Sequence, residues 1–303
     1  MTIKRISDKF DDGGALIFFE GKKISKLNKK EIIKIFEKKG MIIFRNYEIN
    51  PKEITKITDI YTSTYANDAQ RRKKRLNQKQ VHEVDYGNNE MALHSEASFS
   101  PNWPEIVWFF CNVPPPKNSG PTTFCDGIKL WDNLKIETKN FFLTNPLEYN
   151  LEVPIGNRKI GAKKKKWFLN YNGAGNGVLD LNKGVLKMKQ IRFAASESRL
   201  PDKLCFSNHV LYRNTDSTIK NWGTIGQKKI PAKIIKDVKD TSDRLIFDLH
   251  WKKYDLVMLD NRRFMHGRRK FNFKEKRDIL NIQTARANFA YGSTTRKVSK
   301  LNY

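Results

Sequence analysis

Leu93-His94-Ser95-Glu96-Ala97-Ser98-Phe99 and, far downstream, Asp260-Asn261-Arg262-Arg263-Phe264-Met265-His266-Gly267-Arg268 are the two stretches around which the rest of this chain falls into place. In an extended segment side chains alternate, so His94 and Glu96 point to one side, where a single cation can touch both. Adding the second imidazole, His266, gives the two-histidine, one-carboxylate set that holds one face of Fe(II) and leaves the opposite positions open. His-x-Glu alone is a weak pattern, and its surroundings have to carry the reading.

Upstream of the first stretch, Ala15 to Glu20 reads as a short strand. A helix follows, with Asn28 as its cap, Glu31 three residues later, Ile32, Ile33 and Phe36 on one face and Gly40 as a left-handed stop. Met41 to Phe44 reads as a buried strand, and Asn50, Pro51 and Glu53 open another helix. From 65 to 90 the pattern dissolves into polar and basic residues, which predicts a loop or lid over the site, with His82 exposed on it. Glu105 to Val113 is an apolar strand stopped by Pro114-Pro115-Pro116. Thr122 to Asp126 is expected to pair with it as a hairpin, before a short helix through Ile128, Leu130, Trp131 and Leu134.

The stretch 135–190 mixes short strands, such as Tyr149 to Val153 and Trp167 to Asn170, with Lys163-Lys164-Lys165-Lys166 and the Gly-rich Asn172 to Gly177. These glycines lack the Gly-Lys-Ser/Thr context of a phosphate loop, so a variable insertion is expected. Lys203 to Asn214 reads as a strand containing His209, either a third nitrogen near the pocket or a histidine satisfied by backbone. Thr241 to His250 reads as a helix capped by Ser242 or Asp243, and Asp255 to Asp260 as the strand that leads into His266.

With 303 residues, 39% hydrophobic and 12% aromatic, the chain can bury one large core or two small ones. The charged opening Met1 to Phe10 does not read as a secretion signal, and no apolar run approaches a bilayer span. A cytoplasmic protein off the membrane is expected. Cys111, Cys125 and Cys205 are odd in number and scattered, which fits reduced core thiols better than a disulfide framework. The formal charge of +26 draws anionic partners: a phosphorylated or carboxylate substrate, an acidic carrier protein or nucleic acid. The runs 71–75 and 163–166 read as solvated loops.

The blocks around the two stretches resemble the taurine catabolism dioxygenase (TauD/TfdA) family of iron and 2-oxoglutarate dependent oxygenases. The branch most resembled contains clavaminate synthase and the syringomycin-type aspartate hydroxylases. The residues that carry the resemblance are Leu93 to Phe99, Trp103-Pro104, Trp108 to Cys111 and Pro114 through Thr122 to Asp126. Asp255 to Asn261, His266-Gly267-Arg268 and Arg277 carry it downstream. The resemblance implies a single domain over 1–303, mainly β with flanking helices, folded as a double-stranded β-helix (jelly roll, cupin-like).

It further implies Fe(II) held by His94, Glu96 and His266, with 2-oxoglutarate and O₂ as cosubstrates. Thr122 and Arg277, eleven residues after His266, would grip 2-oxoglutarate; a guanidinium is the planar, always-charged fork that a carboxylate matches. The taurine enzyme has an arginine for the substrate sulfonate where this chain has Asn281, which argues against taurine. Arg268, Asn281 and His209 are candidate substrate contacts. Halogenating relatives carry a small residue in place of Glu96, so the implied reaction is hydroxylation of an unactivated C–H bond in an amino acid or derivative, free or carrier-bound. The substrate is then a small anionic or zwitterionic molecule. A nucleotide or nucleic-acid demethylase is the rival enzyme, disfavoured because the basic runs lack interleaved aromatics. A non-catalytic basic jelly-roll module is the rival binder.

Overall fold

The computed structural model describes residues 2–10, 12–18, 23–24, 27–66, 72–84, 87–100, 103–116, 119–154, 178–180, 184–212, 219–226, 228–272 and 276–289. The run 163–166, the strand expected at Trp167 to Asn170 and the Gly-rich 172–177 lie outside them.

The chain folds as a jelly roll. Its larger sheet has the central order Met41–Arg45, Leu256–Asp260, Ile106–Val113, Asp278–Ala287, all antiparallel neighbours. Facing it is a four-stranded sheet in the order Phe247–Leu249, Thr122–Asp126, Phe264–Arg268, Met91–His94. The two-residue period sorts the side chains. Val107, Phe109, Cys111, Val257, Leu259 and Ile279 meet Phe124, Leu249 and Phe264 between the sheets. Their neighbours Ile106, Trp108, Phe110, Leu256, Met258, Leu280 and Ile282 face outward against Ile32, Phe36, Ile54 and Ile57. Burial on both faces explains why Ile106 to Cys111 is an unbroken apolar run.

The outer helix Lys29–Lys39 has the expected ends: Asn28 accepts hydrogen bonds from the Lys30 and Glu31 amides, and Gly40 stops it at φ 67°. Behind the smaller sheet, Gly127–Asn133, Ile136–Thr144 and Ala232–Leu245 pack with Leu147–Pro154 and Val185–Arg192 around Trp131, Phe142, Tyr149, Phe206 and Val238. The three cysteines are buried free thiols. Among the described residues no helix is long and apolar enough to cross a membrane.

Four local expectations are corrected. Ile106–Val113 and Thr122–Asp126 do not pair; they lie in opposite sheets, so the prolines end one strand and the chain crosses to the other layer. The helix expected over Thr241 to His250 lies at Ala232–Leu245, and Phe247–Leu249 is a strand paired with Thr122–Phe124. It starts behind Pro231 without a side-chain cap, so no polar signal marks its beginning. In the segment 65–90, Lys74–Arg75 and Gln78–Glu83 form a strand pair on the edge of the larger sheet, with His82 buried. His209 lies beyond the strand Leu204–Phe206, on an irregular stretch.

Candidate active site

Alternation along Phe264–Arg268 puts Phe264, His266 and Arg268 into the space between the sheets, and antiparallel pairing sets His266 opposite His94. The two strands approach closely because residue 267 is glycine: a Cβ there would sit 2.4 Å from the Met91 carbonyl oxygen. The chain then turns sharply after Glu96, with Ala97 at φ 51°. Asn261 braces this turn. Its side chain accepts from the Glu96 amide at 2.8 Å and donates to the Glu96 and Pro104 carbonyls at 2.9 and 3.0 Å. Ser95 Oγ adds a 2.6 Å bond to the Asn261 carbonyl. A short amide thus ties the two motif stretches together, one strand to the other, and fixes where Glu96 points.

The result is that a ligand atom from each of His94, Glu96 and His266 lies within 4.8 Å of the others. Glu96 Oε2 stands 3.9 Å from His94 Nε2 and 3.5 Å from His266 Nε2. The His94 Nδ1 position lies 2.9 Å from the Ala92 carbonyl; donating there would leave the Nε2 lone pair facing Glu96. Burial, then the neighbouring His266 and His209 imidazoles, pushes His94 well below the usual histidine range, so it stands neutral as a metal ligand must. Burial opposes ionisation of Glu96, but Arg72 and the two imidazoles outweigh it and hold the carboxyl well below the usual range.

The triad opens into a cavity of about 410 Å³, counting its open mouth, lined also by Thr122, Arg268, Arg277 and Asn281. Thr122 Oγ accepts from the Trp251 indole at 2.9 Å and lies 3.3 Å from an Arg277 nitrogen. With both lone pairs so engaged, its own proton is left to be donated elsewhere. Arg277 is half-buried, and among the described residues no carboxylate pairs with it and its Nε has no hydrogen-bond partner. Burial and the nearby Arg268 lower it to about 10, which leaves it charged at neutral pH. Arg268 is partly committed: its guanidinium donates to the Gly87 and Asn89 carbonyls. Both guanidinium groups lie over the Phe271 ring, at 5.0 and 5.4 Å. Asn281 is buried with neither amide atom partnered among the described residues.

His209 is not among the residues that line this cavity. Its ring packs edge-on against His94 at 5.3 Å and Phe99 at 5.0 Å, behind the triad. Asn261, Trp251, Gln283 and Arg72 touch the site residues without having been expected. Gln283 was accessible to sequence reasoning, because it follows Asn281 by two on the same strand face. Arg72 carries no local signal.

Residues 13–283 match the family described as Taurine catabolism dioxygenase TauD, TfdA family. No curated protein matches the sequence. Among solved structures, AAD-2 in complex with Mn(II) and N-oxalylglycine is similar at a TM-score of 0.61 and 17% identity, over 94% of this chain and 96% of that one. PvcB from Pseudomonas aeruginosa is similar at 0.59 and 12%, over 90% and 86%. Another structure of PvcB, an Fe, alpha-ketoglutarate dependent oxygenase from an isonitrile synthetic pathway, gives 0.58 and 12%, over 93% and 94%. At these identities the structural likeness speaks for the fold, and the family match covers most of the chain: it belongs to the TauD, TfdA dioxygenase family.

Proposed function

We propose that this chain is an Fe(II)/2-oxoglutarate dependent oxygenase that hydroxylates an unactivated C–H bond of an amino acid or amino-acid derivative, free or carrier-bound. The observation that carries the reading is the convergence of His94, Glu96 and His266 within 4.8 Å in a cavity that Arg277 also lines. The donor set fits Fe(II): two imidazole nitrogens and one carboxylate oxygen, with the cavity side open. When bound, Fe(II) supplies the O₂ chemistry, and overall R–H, 2-oxoglutarate and O₂ become R–OH, succinate and CO₂.

The protein's own part is placement. Arg277 offers its fork to the distal carboxylate of 2-oxoglutarate while the Thr122 hydroxyl, held from behind by Trp251, donates to the same group. Arg268 and Asn281 are assigned to the substrate side, Asn281 because a buried amide without a partner costs free energy until a ligand satisfies it. The surplus of 58 basic over 32 acidic residues favours an anionic or zwitterionic substrate or an acidic carrier. Within the family we place the chain in the clavaminate synthase-like, syringomycin-type branch, as one domain with an insertion over 135–190, in the cytoplasm.

Anaerobic addition of Fe(II) and 2-oxoglutarate should give a visible charge-transfer band. A panel of amino acids, carrier-bound aminoacyl groups and nucleotides should give succinate release stimulated by an amino-acid compound. Stimulation by methylated nucleotides alone sinks the amino-acid assignment, and absence of the band sinks the oxygenase. Arg277→Lys keeps the charge but loses the fork; a charge-assisted hydrogen bond contributes about 1.5–3 kcal/mol, so the KM for 2-oxoglutarate should rise about 10- to 100-fold. An unchanged KM would remove Arg277 from that role.

A further inference from the structure

The two oxygens of Glu96 have different surroundings. Oε2 faces the imidazoles, whereas Oε1 takes two donors, Arg72 at 3.0 Å and Gln283 Nε2 at 3.0 Å. Arg72 comes from the basic run 71–75, which reads from sequence as a solvated loop, yet its side chain is only 18% exposed against a carboxylate at 11%. Three positions further on, Arg75 makes a fork-to-fork contact with Asp278 at 3.0 and 2.9 Å and reaches Glu83 at 2.9 Å. Asp278 adjoins Arg277 and is held in turn by Asn112 at 2.7 Å. Two arginines of the run are therefore spent on acids at or beside the site, and the strand pair Lys74–Arg75 and Gln78–Glu83 holds them there.

Resting on the reading of the triad as a metal centre, we infer that Arg72 and Gln283 are positioning residues that present Glu96 to the metal through one oxygen, and that residues 72–75 are a strap locking that presentation. Two donors on Oε1 remove the carboxylate's freedom to rotate or to chelate with both oxygens, so Oε2 stays aimed between the imidazoles. An opposing effect exists, because Arg72 is a cation near a dication. Its hydrogen bond goes to Oε1 while Oε2 is the oxygen that faces the histidines, so orientation outweighs repulsion. A guanidinium that plugged the metal position would instead have contacted Oε2.

The test is Mn(II) titration of the full chain, following the electron paramagnetic resonance signal of the free ion, with far-UV circular dichroism as the check of folding. Loss of a hydrogen-bonding partner of a metal ligand typically weakens metal affinity about 10- to 100-fold, and that is the loss expected for Arg72→Ala. Arg72→Lys, which keeps charge without the planar fork, should recover part of it. Gln283→Met removes the second donor without touching the strap and should weaken Mn(II) in the same direction, so the idea stays testable if Arg72→Ala does not fold. Wild-type affinity retained within about twofold in folded Arg72→Ala, or tighter binding, overturns the inference while leaving the metal centre intact. Failure of the wild-type chain to bind Mn(II) overturns both.

Discussion

Asp126→Ala should lower the free energy of unfolding by about 3–5 kcal/mol, the usual cost of leaving one partner of a buried ion pair alone. Asp126 is fully buried and accepts from Arg263 Nε at 3.0 Å and a terminal nitrogen at 2.6 Å, and the third guanidinium nitrogen donates to the Lys38 carbonyl at 3.0 Å. The same carboxylate caps the helix Gly127–Asn133 through the Ile128 amide at 3.1 Å, so the substitution also removes a helix cap. Arg263 cannot turn to water. Gly40 closes over it, and a Cβ there would come 2.7 Å from the arginine Cδ. Equilibrium urea unfolding checks the figure, and a loss below about 1 kcal/mol would mean that the ion pair is solvated. The double variant Asp126→Ala, Arg263→Met should be less destabilised than Asp126→Ala, because no charge is then stranded. Asp126 pairs across the strands with Phe264, two positions from the Phe124–His266 pair, so this ion pair pins the strand that carries the distal histidine.

What could be read from the sequence follows a physical division. That His94, Glu96 and His266 converge, and that Arg277, Thr122 and Asn281 line the same cavity, was legible because all stand at offsets the family resemblance supplies; strand alternation alone did not carry it, since the strand ends at His94 and Glu96 opens the turn. Asn28 and Gly40 marked the ends of the first helix because caps are written in side chains next to the backbone groups they satisfy. Contacts between remote segments left no such mark. Nothing near residue 72 tells that a guanidinium in a basic run will end on Glu96, nor that Asn261 will brace the turn after it. The triple proline announced the end of Ile106–Val113 without saying into which sheet the chain would continue. The helix Ala232–Leu245 escaped because it lacks a capping side chain and its outer face is filled with Lys and Asp, while the apolar residues past Leu245 belong to a strand. His209 shows the opposite failure: an imidazole close to the triad in space, packed on its back.

His266→Ala should abolish substrate-dependent succinate release while the chain stays folded. Loss of a group that merely supports a ligand costs about 10- to 100-fold, so loss of a ligand itself should exceed about 100-fold. The fold has little stake in this side chain: His266 Nδ1 makes no hydrogen bond among the described residues, and its ring is held by packing, edge-on to Phe109 at 5.0 Å and tilted against His94 at 4.5 Å. Truncation therefore opens a small cavity and removes one neighbour of Glu96 Oε2, while Arg72 and Gln283 still hold that carboxylate through Oε1, in contrast to Asp126→Ala. Linkage separates the two effects further. A metal present at about 100 times its dissociation constant stabilises the folded state by about 2.7 kcal/mol, so Mn(II) should raise the thermal midpoint of the wild-type chain and leave that of His266→Ala unmoved. If Mn(II) stabilises both equally, the ion binds elsewhere and the three converging side chains are not its ligands.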